Sequence, residues 1–138
     1  MALVPSIVAL LGQFRRPKDP KKLGRFAEDL SAWYFRLKGY EILARNWRTR
    51  SGEIDLVVKK GTNIVFVEVK ARRTKTRGRP EEALTPQKKR RLYRLAEAYL
   101  AAQPTEAETF RFDLVAVDFS EKLPQLKHYQ GVIEDEGS

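Results

Sequence analysis

Gly52-Glu53-Ile54-Asp55-Leu56-Val57 and, after the break Lys60-Gly61-Thr62, Val65-Phe66-Val67-Glu68-Val69-Lys70-Ala71-Arg72 set charges inside apolar, β-branched sequence. Taking an ionised side chain out of water without a partner costs several kcal/mol, so charges in such strands are paired or coordinate a metal. Asp55, Glu68 and Lys70 are therefore read as a site. The glycine-containing break predicts a hairpin of strands Glu53 to Lys59 and Asn63 to Arg72. Residues two apart on a strand share a face, so Glu68 and Lys70 project together, away from Val65, Val67 and Val69, and Glu53, Asp55 and Val57 form a like set.

With a two-residue turn at Gly61-Thr62, Lys60 faces Asn63 and Asp55 falls opposite Glu68. A four-residue loop keeps this register, and a three-residue loop shifts it by one. Opposed Cβ atoms lie roughly 4.5–5.5 Å apart, where like charges repel. A divalent cation turns that repulsion into ligation, with Lys70 offsetting part of the charge. A plain Lys70–Glu68 salt bridge on an exposed sheet face is the alternative.

Upstream, Leu23, Phe26, Ala27, Leu30, Tyr34 and Leu37 recur at helical spacing, and Lys38-Gly39 ends that helix. Tyr40 to Trp47 reads as a strand and Arg48 to Gly52 as a basic loop. Downstream, Thr74 to Glu82 reads as an exposed, mobile loop. Thr85 and Pro86 then offer an N-cap and a first helical residue for a helix to about Ala102, with core positions Leu84, Leu92, Leu95, Ala96 and Tyr99. Phe110 to Asp118 is a further strand and Leu126 to Val132 an edge strand. The order αββ(β)αββ predicts a mixed α/β (α+β) fold of two or three layers. Residues 1–21 are expected to be a loosely attached apolar and then basic linker, 22–133 a single domain, and 134–138 an acidic tail.

Lysine and arginine outnumber aspartate and glutamate 27 to 18 in the 138 residues, an excess of nine positive charges that favours a polyanionic partner such as nucleic acid or an anionic membrane surface, with solubility alone as the alternative. There is no cysteine, which excludes disulfides, thiolate catalysis and cysteine zinc sites. The single histidine, His128, is read as a strand or surface residue. Acid, base or metal chemistry must then rest on carboxylates and lysine, which suit magnesium or manganese. The apolar run Leu3 to Leu11 is too short to span a bilayer and lacks a signal peptide's basic start, so a cytoplasmic protein is expected.

Glu28 sits at the border of the first helix's apolar face, able to turn toward a site on the sheet; a solvated helical glutamate is the alternative. Arg45, Arg48 and Arg50 precede one motif strand, while Arg72, Arg73, Lys75, Arg77 and Arg79 follow the other. Both clusters should emerge near the carboxylates and bind phosphates without regard to sequence. Lys88, Lys89, Arg90, Arg91 and Arg94 extend this surface or are simply solvated. Trp33 and Trp47 are expected in the core or at its rim.

Taken together, Gly24-x-x-x-Glu28, Gly39-Tyr40-x-Ile42-Leu43, Arg45-Asn46, Gly52-Glu53-Ile54-Asp55-Leu56-Val57, Phe66-Val67-Glu68-Val69-Lys70-x-Arg72 and Arg111-Phe112-Asp113 resemble the YraN-like family. These are bacterial endonuclease-like proteins of the PD-(D/E)XK nuclease superfamily, similar in core to Holliday-junction resolvases. The resemblance covers roughly Leu23 to Phe119, and Ile54 stands where the superfamily name has proline. It implies a restriction-endonuclease-like core, Asp55 and Glu68 as metal ligands, Lys70 as catalytic lysine and Glu28 as an acidic partner. It further implies supporting places for Glu53 and Gln87. The expected activity is magnesium- or manganese-dependent hydrolysis of DNA, including branched or structured DNA. Junction cutting needs two sites and hence a two-fold homodimer. The alternative is a nucleic-acid-binding module whose nuclease-like site is weak, inactive or dependent on a partner.

Overall fold

The computed structural model describes residues 17–73 and 84–133. Helix α1 spans Pro20–Leu37; its N-cap Asp19 accepts the Lys21 N–H, and proline occupies the first turn. It therefore starts before Leu23, inside the stretch read as linker, because the Asp-Pro pair is itself a start signal. Leu23, Ala27, Leu30 and Tyr34 are buried as the periodicity requires. Leu37 is half exposed, because it ends the helix, and the fully buried aromatic near that end is Phe35.

Five strands follow: β1 Glu41–Thr49, β2 Gly52–Lys60, β3 Asn63–Arg72, β4 Thr109–Asp118 and β5 Gln125–Tyr129. They form one sheet in the order β1-β2-β3-β4-β5, antiparallel except for the parallel β3–β4 pair. Parallel neighbours need a crossover, and helix α2, Pro86–Ala102, lies in it between β3 and β4. The expected Thr85 cap accepts the Lys88 N–H at 3.2 Å. The hairpin closes through two residues, with Lys60 opposite Asn63 and Gly61 at φ 62°.

The two faces of the sheet are covered by different helices, giving three layers. Leu56, Val58, Val65, Val67, Val115 and Val117 pack with α1. Val57, Ile64, Phe66, Phe112 and Leu114 pack with Leu92, Leu95, Ala96 and Tyr99 of α2. Burying a ring such as Phe35 or Phe66 stabilises the fold by about 1.5–3 kcal/mol. Trp47 meets Tyr99 edge to face, with centroids 5.2 Å apart. Trp33, expected in the core or at its rim, is 53% exposed, since it lies one turn from the exposed Asp29 and Leu37 on the outer side of α1.

A second buried acid lies in β4. Asp113 accepts two bonds from the Arg111 guanidinium, at 2.8 and 2.9 Å, and one from the Gly131 N–H, and pairs with His128 at 2.6 Å. The other ring nitrogen of His128 meets the Tyr34 hydroxyl at 2.8 Å. Burial opposes ionisation of Asp113, but His128, Arg111 and the Gly131 amide outweigh it and hold its carboxyl below the ordinary carboxylate range. His128 is thus a strand residue, as read, half-buried overall but with an enclosed side chain that ties β5 to β4 and α1. Among the described residues no helix is long and apolar enough to cross a membrane. The segment 1–16, the loop Thr74 to Glu82 with Lys75, Arg77 and Arg79, and the tail 134–138 lie outside the described residues.

Candidate metal centre

The β2–β3 ladder runs from Lys60–Asn63 to Leu56–Val67 and stops there. The next pair in that register is Asp55 and Glu68, as counted from the turn. In place of a further backbone bond, the Val69 N–H donates to Asp55 Oδ2 at 2.8 Å. Regular alternation also fails at this point. Ile54 and Val57 both pack on the α2 side while Leu56 packs on the α1 side, so Glu53, Asp55 and Val57 do not form one simple stripe. On the neighbouring strand Asn46, between the pairs Arg45–Leu56 and Trp47–Ile54, takes a left-handed backbone with φ 50° at the same level.

Asp55 comes together with Glu28 of α1 and Glu53 of β2. One carboxylate oxygen from each lies within 4.8 Å of the other two. Glu53, read as a supporting residue, is thus a full member of the cluster. Glu68 stands outside that trio, lining a small hollow with Ile54, Leu84 and Leu92 beneath α2. Its charge still reaches Asp55. Burial, then Glu68, then more weakly Glu28 and Glu53 push the Asp55 carboxyl up to about 8 against the lowering effect of the Val69 amide. Burial likewise raises Glu68, which Arg91, Lys88 and Lys70 pull back. Lys70 is exposed two residues beyond Glu68 on the same strand. Like charges held this close are relieved by a proton or by a cation. The all-oxygen donor set fits a hard divalent ion, and Glu28, Glu53 and Asp55 are the residues that could hold one.

The basic residues divide. Arg48 donates from Nε to Glu53 Oε2 at 2.7 Å, so it is a partner of the acidic cluster as well as a rim cation. Arg45 pairs with Asp29. Arg50 and Gln87 are exposed, on the β1–β2 turn and the first turn of α2. Arg72 ends β3, where its carbonyl accepts the Phe119 N–H, and Arg73 donates to the Lys18 carbonyl. Arg91, read only as an extension of the basic surface, lies against Gly52 at the start of β2 and is the strongest cationic influence on Glu68. Lys88 stands one turn earlier on the same helix. Their spacing along α2 was the available signal, but which face of the helix met the carboxylates depended on packing.

The family model described as "Uncharacterised protein family UPF0102" matches residues 27–117, a span running from Ala27, beside Glu28, to the end of β4. The chain belongs to the UPF0102 family. It is similar to the UPF0102 protein of Syntrophomonas wolfei, 45% identical over 108 residues that cover 78% of this chain and 94% of the relative. It is 40% identical to that of Herpetosiphon aurantiacus over 118 residues, covering 83% and 95%. The UPF0102 protein of Symbiobacterium thermophilum is 48% identical over 98 residues, covering 71% and 83%. The UPF0102 match thus takes in the acidic trio, Glu68, Lys70 and Arg91, together with strands β1 to β3 and nearly all of β4.

Proposed function

We propose that this UPF0102 chain is a magnesium- or manganese-dependent endonuclease acting on DNA, with branched or structured DNA as the favoured substrate. The observation that carries the reading is the convergence of Glu28, Glu53 and Asp55 at the open end of the β2–β3 hairpin, next to Glu68, whose charge Lys70 in turn influences. When bound there, a divalent ion supplies Lewis-acid polarisation of a phosphoryl oxygen and lowers the pKa of attacking water. The carboxylates of Glu28, Glu53 and Asp55 would hold the ion, with Glu68 adding negative charge next to Asp55. The Lys70 ammonium orients the water and offsets charge that develops on the phosphoryl oxygens. Arg50, Arg72, Lys88 and Arg91 place the sugar–phosphate backbone, a contact set that carries no base information. Cutting a branched junction on two strands takes two such centres, and hence two copies related by a two-fold axis.

The test is a substrate panel of plasmid, single-stranded and four-way-junction DNA and RNA, each with manganese, with magnesium and with chelator. Metal-dependent cleavage of DNA is expected, with Glu68→Gln and Lys70→Ala reducing the rate by on the order of 100-fold. Cleavage of no substrate with either metal, or variants as fast as the native chain, would remove the enzymatic reading. Tight DNA binding without cleavage would then favour a binding module.

A further inference from the structure

Asn46 is the one non-glycine residue with a left-handed backbone among the described residues. It sits on β1 between the pairs Arg45–Leu56 and Trp47–Ile54, at the position facing Asp55. Most side chains resist this conformation, asparagine tolerates it and glycine adopts it freely. Its backbone turns the strand over, so that Arg45 pairs with Asp29 of α1 while Trp47 packs on Tyr99 of α2. Its side chain points to the carboxylates, and Nδ2 donates to Glu28 Oε1 at 3.1 Å. Among the described residues no other hydrogen bond reaches the Glu28 carboxylate.

We propose that Asn46 is a positioning residue for the cation site, holding the Glu28 carboxylate inward from α1 toward Glu53 and Asp55. The inference rests on reading that trio as a cation site. Glu28 is only partly buried, and without a donor its carboxylate would turn to water, away from the crowded acids of the cluster. A neutral amide suits the task better than a basic side chain. It directs one oxygen and leaves the other for the ion, without cancelling the negative charge that attracts the ion. Donors of this kind, acting through a ligand, are worth about 10–100-fold in metal affinity.

The experiment is calorimetric titration of the full chain with manganese after chelator treatment. Asn46→Gly keeps the left-handed backbone and removes the amide; Asn46→Ala removes the amide and adds backbone strain. Both should bind manganese about 10–100-fold more weakly, while only Asn46→Ala unfolds at a clearly lower temperature without metal. In a Glu28→Gln background, Asn46→Gly should cause no further loss of affinity, which a merely structural role would not produce. Affinity within about twofold of native for Asn46→Gly, or an equal drop in both backgrounds, overturns the inference while the cation site stands. No manganese binding by the native chain overturns the cation site itself, and the inference with it.

Discussion

Replacing Asp55 by asparagine should make the metal-free protein more stable, by an amount that grows with pH. In the unfolded chain Asp55 ionises near 3.8, and in the fold near 8. Between those values the folded chain binds one proton that the unfolded chain has lost, so stability falls as pH rises. Each pH unit is worth about 1.4 kcal/mol, giving a cost of about 2 kcal/mol at pH 5 and about 4 kcal/mol at pH 7. Asparagine has the shape of the protonated acid, keeps an oxygen for the Val69 N–H and carries no charge at any pH. Urea unfolding in chelator should therefore show Asp55→Asn level with the native chain below pH 4 and ahead of it by about 4 kcal/mol at pH 7, roughly 14 °C in Tm for a chain of this length. Saturating manganese should stabilise the native chain alone and narrow the gap. A difference that stays flat from pH 5 to pH 7, or a variant less stable than native at pH 7, would refute the argument that burial and neighbouring acids strain this carboxylate.

The other buried acid should behave in the opposite way. Asp113→Asn leaves Arg111 short of its counter-ion and His128 without its carboxylate hydrogen-bond partner, and should cost about 3–5 kcal/mol at neutral pH in urea unfolding. Because the Asp113 carboxyl is held below 3.8, its contribution is complete above that pH and is lost as pH falls through the folded value, so the penalty should shrink in acid. At the rim, Arg91→Gln should weaken DNA binding equally across sequences and reduce the slope of log K against log salt by about one, measured by fluorescence anisotropy. A slope equal to native would remove Arg91 from the phosphate contacts.

The hairpin and α2 were legible because their signals are local: Gly61-Thr62 for a two-residue turn, Thr85-Pro86 for a capped helix start. The count from that turn also put Asp55 next to Glu68 in register. The start of α1 was hidden by the polar stretch Arg15 to Lys22, in which Asp19-Pro20 did not stand out. Helical spacing marked the inner face of α1 but not its length of contact, so Leu37 was included and Phe35 left out. The arrangement of the acids was less legible, since strand alternation assumes regular backbone and the departure on β2 coincides with the left-handed Asn46 on another strand. That departure accompanies the clustering of Asp55 with Glu28 and Glu53, while Glu68 lies toward Arg91. Asp113 carried the same clue as Asp55, a lone acid in apolar strand sequence. Its partner His128 and the Tyr34 hydroxyl that His128 meets in turn lie on β5 and α1, beyond the reach of local pattern.

The bond from Val69 N–H to Asp55 has a further consequence for motion. A backbone carbonyl is an acceptor of fixed strength, but the Asp55 carboxylate weakens as an acceptor when it takes up a proton or shares its electrons with a cation. The last closed rung between β2 and β3 is therefore adjustable, with only the Leu56–Val67 step behind it. Whatever occupies the acidic cluster sets how readily the mouth of the hairpin breathes, and solvent exchange of the Val69 amide provides a backbone gauge of that occupancy.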